Sequence, residues 1–140
     1  MGNATEQHAE LFNDSYERCI DNPNPPGFLQ RFYKVFLSSS EEVAEKFKNT
    51  DFEKQTRVLK ASLYYLMLSC NGSPEAMAHL RRIACLHSRK QLDIRPELYD
   101  LWLASLLQAA REYDPRFDQQ TETAWRQVLS HGIDFMKSRY

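Results

Sequence analysis

The sequence predicts an all-α fold, and three features of the chain carry that prediction. Apolar residues recur at spacings of three and four along most of its length, and no stretch alternates as a half-buried strand would. Four glycines and six prolines fall between these periodic stretches and cut them into helix-length pieces. The pieces are unequal in length, which fits an irregular helical box of seven to eight helices better than an up-and-down bundle. At 140 residues the chain makes a single domain with a real core, and residues 1–5 are expected to be disordered.

The first piece, Glu6 to Ile20, carries Leu11, Phe12, Tyr16, Cys19 and Ile20 on one side. Asn22-Pro23-Asn24-Pro25-Pro26 breaks it. A second helix from Gly27 to Leu37 presents Phe28, Leu29, Phe32, Tyr33 and Phe36, an aromatic density that requires burial. Ser39 with Glu42 forms a capping-box pattern for a short helix ending near Phe47, and Thr50 with Glu53 repeats it for the next. That fourth helix runs to about Ser69 and buries Phe52, Gln55, Val58 or Leu59, Ser62, Leu63 and Leu66. Gln55 is a polar side chain on an apolar line and needs a partner or a wet cavity.

Ser73 as N-cap and Pro74 in the first turn open a helix whose inward face is Met77, Leu80, Ile83, Ala84 and His87. Arg89 and Lys90 suit its C-terminal dipole, and Asp93 and Pro96 prevent easy continuation. Pro96 starts a helix over Glu97 to Tyr113 with the stripe Leu98, Leu101, Trp102, Ser105, Leu106 and Ala109, which Asp114-Pro115 ends. The last helix, about Gln119 to Arg139, turns Trp125, Val128, Leu129, Ile133 and Met136 inward, and Gly132 lets another helix come close.

With 18 basic and 19 acidic residues, the chain has no general field for nucleic acid or an anionic membrane. It lacks a signal-peptide pattern and any apolar run of membrane-spanning length, so a soluble cytoplasmic protein is expected. Cys19, Cys70 and Cys85 are far apart and form no C-x-x-C pair, against a disulfide framework, a zinc site or a thioether-linked haem. Cys85 and His87 lie two apart on a helix and point to different sides, so Cys85 is read as a small packing residue. Nucleophile elbows, phosphate-cradling glycine loops and H-E-x-x-H are absent. From periodicity alone His87 has two readings: a core imidazole with one ring nitrogen satisfied, or a ligand.

The order and spacing of Phe32-Tyr33, Phe47, Gln55 with Leu59, His87 and then Asp93-Ile94-Arg95-Pro96-Glu97-Leu98-Tyr99-Asp100-Leu101-Trp102 resemble a bacterial single-domain globin. The resemblance runs from about Tyr16 to Tyr140. Its most specific stretch, LHSRKQLDIRPELYDLWLASLL, is similar to small proteobacterial globins described as oxygen carriers. The resemblance implies haem b (iron protoporphyrin IX), held non-covalently between the helix 51–69 and the helix from 74 to about 90. His87 matches the proximal iron ligand, with Nδ1–H donated to a carbonyl near Ile83. His79, two turns earlier, is the alternative ligand.

By the same resemblance, Tyr33 and Gln55 match the positions that touch bound gas, Leu59 the apolar residue above the iron, and Phe47 the phenylalanine that packs on the porphyrin. Ile94 and Tyr99 complete the expected haem contacts. A one-residue error in helix phase would put Lys54 or Thr56 in place of Gln55. Tyr99 follows His87 by twelve residues, so the connecting turn should be long, and the sequence leaves open whether the two are hydrogen-bonded. Arg57 and Arg89 are candidates for the haem propionates. The implied ligands are dioxygen, carbon monoxide or nitric oxide, in storage, transport, sensing or scavenging. An alternative is nitric oxide dioxygenation with an external reductase, and a third is a haem-free interaction module. The sequence leaves the oligomeric state open.

Overall fold

The structure, a computed structural model, describes residues 4–140. The expectation of disorder at positions 1–3 lies outside the described residues, and Ala4 and Thr5 already belong to the first helix. Seven helices make up the described residues: α1 (Ala4–Asp21), α2 (Phe28–Ser38), α3 (Glu41–Lys46), α4 (Phe52–Cys70), α5 (Pro74–His87), α6 (Pro96–Tyr113) and α7 (Gln119–Ser138). None of them is long and apolar enough to cross a membrane.

Helices α3, α4, α5 and α7 start after short polar side chains that accept backbone N–H groups, at positions one residue from those expected in two cases. Ser40, not Ser39, caps α3 by accepting the Glu42 N–H, while Ser39 closes the end of α2 with its hydroxyl on the Phe36 carbonyl. The capping box does not form, because the Glu42 carboxylate pairs with Arg95 instead. Asp51, not Thr50, caps α4 by accepting from the Glu53 and Lys54 N–H groups. A carboxylate there also suits the positive end of the helix dipole. Ser73 and Pro74 open α5 as the sequence indicates. Gly27 precedes α2 with φ of 103°, a left-handed conformation that a residue with a Cβ adopts only under strain.

The core divides into a filled half and a hollow half. In the filled half, Trp125 is fully buried among Phe12, Tyr16 and Phe28, with Phe12 edge-on at 4.7 Å between ring centroids. The indole Nε1–H donates to Ser15 Oγ at 2.9 Å, and Ser15 Oγ donates to Asp114 Oδ2 at 2.6 Å. Arg18 adds a two-pronged pair to the same carboxylate at 2.7 and 3.0 Å, and the Arg116 N–H completes it at 2.9 Å. Asp114, only 2% exposed, therefore joins α1, the end of α6 and, through Trp125, α7.

On the other side, α7 lies close against α4 at Gly132. A Cβ placed there would come within 2.0 Å of Leu66 Cδ2 and 3.8 Å of Leu80 Cδ2. The glycine expected to permit a close approach does so, and the helices it admits border the hollow half.

Two expectations on stability follow. Gly132→Ala gains about 1 kcal/mol in helix propensity, but overpacking against buried Leu66 costs about 1–3 kcal/mol, so a net loss is expected by urea denaturation. Gly132→Ala with Leu66→Ala should recover more than the sum of the single changes allows; strict additivity would show that the contact is not the cause. For Asp114, burial pushes the carboxyl up, but Arg18, Ser15 and the Arg116 N–H outweigh it and hold the group below its ordinary 3.8. Its stabilisation is thus complete above about pH 4 and lost as pH falls through the lowered value. Asp114→Ala, which strands those donors, should cost about 3 kcal/mol at neutral pH and flatten the acid limb of the stability curve.

Candidate functional site

The hollow half is a cleft of about 1160 Å³, counting its open mouth, walled by α2, α4, α5, α6 and α7 with α3 at the edge. Tyr33, Phe47, Gln55, Leu59, His87, Ile94 and Tyr99 all line it. The helical phase settles two ambiguities on α4. Leu59 is 5% exposed and faces the cleft, whereas Val58 is 47% exposed at its rim. Gln55 faces the cleft, while Lys54 points to solvent and the Thr56 hydroxyl is bonded to the Phe52 carbonyl.

His87 is the last residue of α5, and the backbone turns extended at Ser88. Its Nδ1 lies 2.8 Å from the Ile83 carbonyl oxygen. A carbonyl only accepts, so Nδ1 carries the proton and Nε2 keeps its lone pair. Nε2 has no hydrogen-bond partner among the described residues, and the ring borders the cleft. Burial pushes the imidazole below its ordinary value, against a smaller opposing effect of the Ile83 bond, so it is neutral at physiological pH. A neutral, oriented imidazole with one free lone pair is suited to bind a metal.

Facing it across the cleft are two potential donors. Burial pushes the Tyr33 phenol up to about 12, and the Gln55 side chain beside it pulls the other way. Tyr33 keeps its proton and can donate it. Phe47 and Phe52 meet its ring edge-on at 5.9 and 5.3 Å between centroids, which fixes the ring between α2 and α4. Tyr99 contacts His87 ring to ring at 6.4 Å and makes no hydrogen bond to it; its phenol is also raised to about 12 by burial.

Between His87 and α6 lies the long turn expected from the sequence, spanning 88–95. It is tightly knit: the Asp93 N–H reaches the Ser88 carbonyl, and the Ile94 N–H reaches the His87 carbonyl at 3.0 Å. Asp93 adopts φ of 54°, left-handed for a residue that is not glycine, and its carboxylate receives the Tyr140 hydroxyl. The turn is also tied to α3 at the cleft edge, by Arg95 with Glu42 and by Lys46 Nζ on the Leu92 carbonyl at 3.0 Å.

Several placements differ from expectation. Arg89 and Lys90 lie beyond the end of α5 rather than in its last turn. Neither Arg57 nor Arg89 lines the cleft, and Arg89 stacks on the Tyr140 ring at 4.8 Å. The basic side chain that does line the cleft is Lys46, which the sequence reading missed. Its position five residues before Asp51, the α4 cap, gave no signal beyond its short helix. Cys85 is exposed rather than packed. His79 stacks on Tyr65 at 4.1 Å and does not line the cleft. Among the described residues no group of histidines, cysteines and carboxylates forms a metal-binding cluster, so His87 stands alone at the cleft.

This arrangement can be set beside known proteins. The Globin family model matches residues 30–136. A crystal structure of a Pseudomonas aeruginosa protein, described as structurally highly homologous to a human haemoglobin, is 41% identical with a TM-score of 0.89. The match covers 95% of this chain and 98% of that one. Curated proteins give no significant match to the sequence. With the family model spanning the helices that wall the cleft and the likeness extending over nearly the whole chain, this protein belongs to the globin family.

Proposed function

We propose that the chain binds haem b non-covalently in the cleft and, through it, a diatomic gas, with dioxygen favoured. The observation that carries this reading is the His87 ring: neutral, oriented by Ile83, and presenting an unpartnered Nε2 to a large apolar cleft. The lining fits the cofactor's chemistry. Most of it is aliphatic or aromatic, as a porphyrin face requires, and Lys46 at the edge supplies a cation for a carboxylate. Bound there, the iron would supply an open coordination position at which a diatomic gas binds reversibly.

The remaining work falls to the chain's own side chains. His87 Nε2 would be the metal ligand, and the Nδ1–H bond to Ile83 holds the ring's orientation and raises its basicity. Phe47, Leu59 and Ile94 keep water from the site, while Tyr99 limits the tilt of the imidazole by ring contact. The Tyr33 hydroxyl and the Gln55 amide are the donors available to a bound gas. Dioxygen in such a site is more polar than carbon monoxide, so these donors favour dioxygen. Each such bond contributes about 1.5–3 kcal/mol, by the measure of hydrogen bonds to charged groups.

Absorption spectra of the ferric, reduced and carbon monoxide-treated protein, after expression with haem supplied, test the reading directly. A Soret band that shifts on reduction and on carbon monoxide addition is expected, and it should be lost or weakened in His87→Ala. Absence of a Soret band after reconstitution would overturn the proposal and leave a haem-free interaction module. An unchanged band in the variant would remove His87 as the ligand. For the gas, Tyr33→Phe should raise the dioxygen dissociation rate by roughly tenfold or more while changing carbon monoxide dissociation little. Equal effects on the two gases would show that Tyr33 acts by shape and not by donating.

A further inference from the structure

A hydroxyl stands in the cleft wall that gas binding does not use. Ser62 lies on the same face of α4 as Gln55, Leu59 and Leu66, and all four line the cleft. Other helix hydroxyls in the protein turn back onto their own helix: Thr56 on the Phe52 carbonyl at 2.7 Å, Ser69 on Leu66 at 2.8 Å, Ser105 on Leu101 at 2.7 Å and Thr123 on Gln119 at 3.0 Å. Ser62 does not, and its hydroxyl has no hydrogen-bond partner among the described residues. The side chain is half-buried, with its oxygen open to the cleft and not sealed in the wall.

We infer that Ser62 sets the specificity of the cleft for the buried edge of its cofactor, favouring a tetrapyrrole that carries a hydrogen-bond acceptor there, such as a formyl oxygen, over one that carries hydrocarbon alone. The inference rests on the haem-binding reading above and deepens it from haem b to a choice among tetrapyrroles. Charge sets which edge is buried. Lys46, at the end of α3 and just before α4, borders the cleft and draws the carboxylates of such a molecule to that side. The opposite edge is then directed along α4, where Ser62 stands about 10 Å beyond Gln55 at the rise of an α-helix. Its surroundings in the wall are aliphatic: Leu59 and Leu66 on α4, with Leu80 and Gly132 close to Leu66. A hydrocarbon edge strips water from the hydroxyl and returns nothing in exchange. An acceptor restores the lost hydrogen bond, and the donor is available because no helix carbonyl holds it.

Reconstitution of the full chain with 2,4-diformyldeuterohaem tests this. Formyl groups replace both vinyl groups of protohaem in that compound, so a formyl oxygen reaches the inner end whichever way the macrocycle is turned over. In competition with protohaem, the native chain should prefer the diformyl compound by about threefold to tenfold more than Ser62→Ala does. Comparing the two proteins cancels the electronic effect of the formyl groups on the iron, which is the same in both. Alanine is a strong helix former, so the variant keeps α4 intact. Resonance Raman spectra give a readout separate from affinity: a formyl C=O stretching band should be lowered by hydrogen bonding in the native chain and return to its free position in Ser62→Ala. Equal preference in the two proteins would overturn the inference, and so would coincident formyl bands. Either result would mean that Ser62 turns back onto the Val58 carbonyl as other helix hydroxyls do. A native chain that takes up neither compound defeats the haem-binding reading and this inference with it, whereas normal protohaem uptake with coincident bands defeats the inference alone.

Discussion

The buried carboxylate of Asp114 is the interaction on which the rest of the architecture leans. A negative charge at 2% exposure is tolerable only because Arg18, Ser15 and a backbone N–H surround it, and the two side chains come from 96 and 99 residues away in the chain. Through Ser15 the same network reaches the Trp125 indole, so α1, α6 and α7 are fixed in one geometry. A domain of this size that leaves a large cleft on one side must be rigid on the other. Here the rigid side is the aromatic packing of Phe12, Tyr16, Phe28 and Trp125 around that polar knot.

From that frame the site follows by a chain of local constraints. Gly132 lets α7 lie against α4 and brings Leu66 and Leu80 together at the inner end of the cleft. α5 stops at His87, and the turn behind it is fastened to α3 by Arg95 and Lys46 and to Tyr140 by Asp93. The imidazole is thus set at a helix end whose following backbone is pinned from two directions. Opposite, the ring contacts of Phe47 and Phe52 hold Tyr33 where its hydroxyl and the Gln55 amide meet. One side of the cleft offers a lone pair and the other offers protons, and the surface between them is apolar.

Much of this was legible from periodicity. The apolar stripe on α5 ended at His87, the polar Gln55 on an apolar line called for a partner or a wet cavity, and Gly132 marked a close helix contact. These are signals of a helix's own spacing, and they survive because α-helical geometry fixes which residues share a face. The caps were less legible, since Ser39-Ser40 and Thr50-Asp51 each offer two adjacent candidates that backbone dihedrals, not composition, separate. Lys46 and Asp114 left no mark at all. Each depends on contacts between residues far apart in sequence, and Asp114-Pro115 reads simply as the end of a helix.

By itself, then, the sequence determined an all-α chain, the faces its helices bury and the order of residues that resembles a globin, because these are set by spacing along one strand of backbone. The tertiary structure alone decided which cap closes each helix, which cation borders the cleft and which carboxylate is buried. Those properties belong to the space between helices, where distance and desolvation act on side chains that no local pattern brings together.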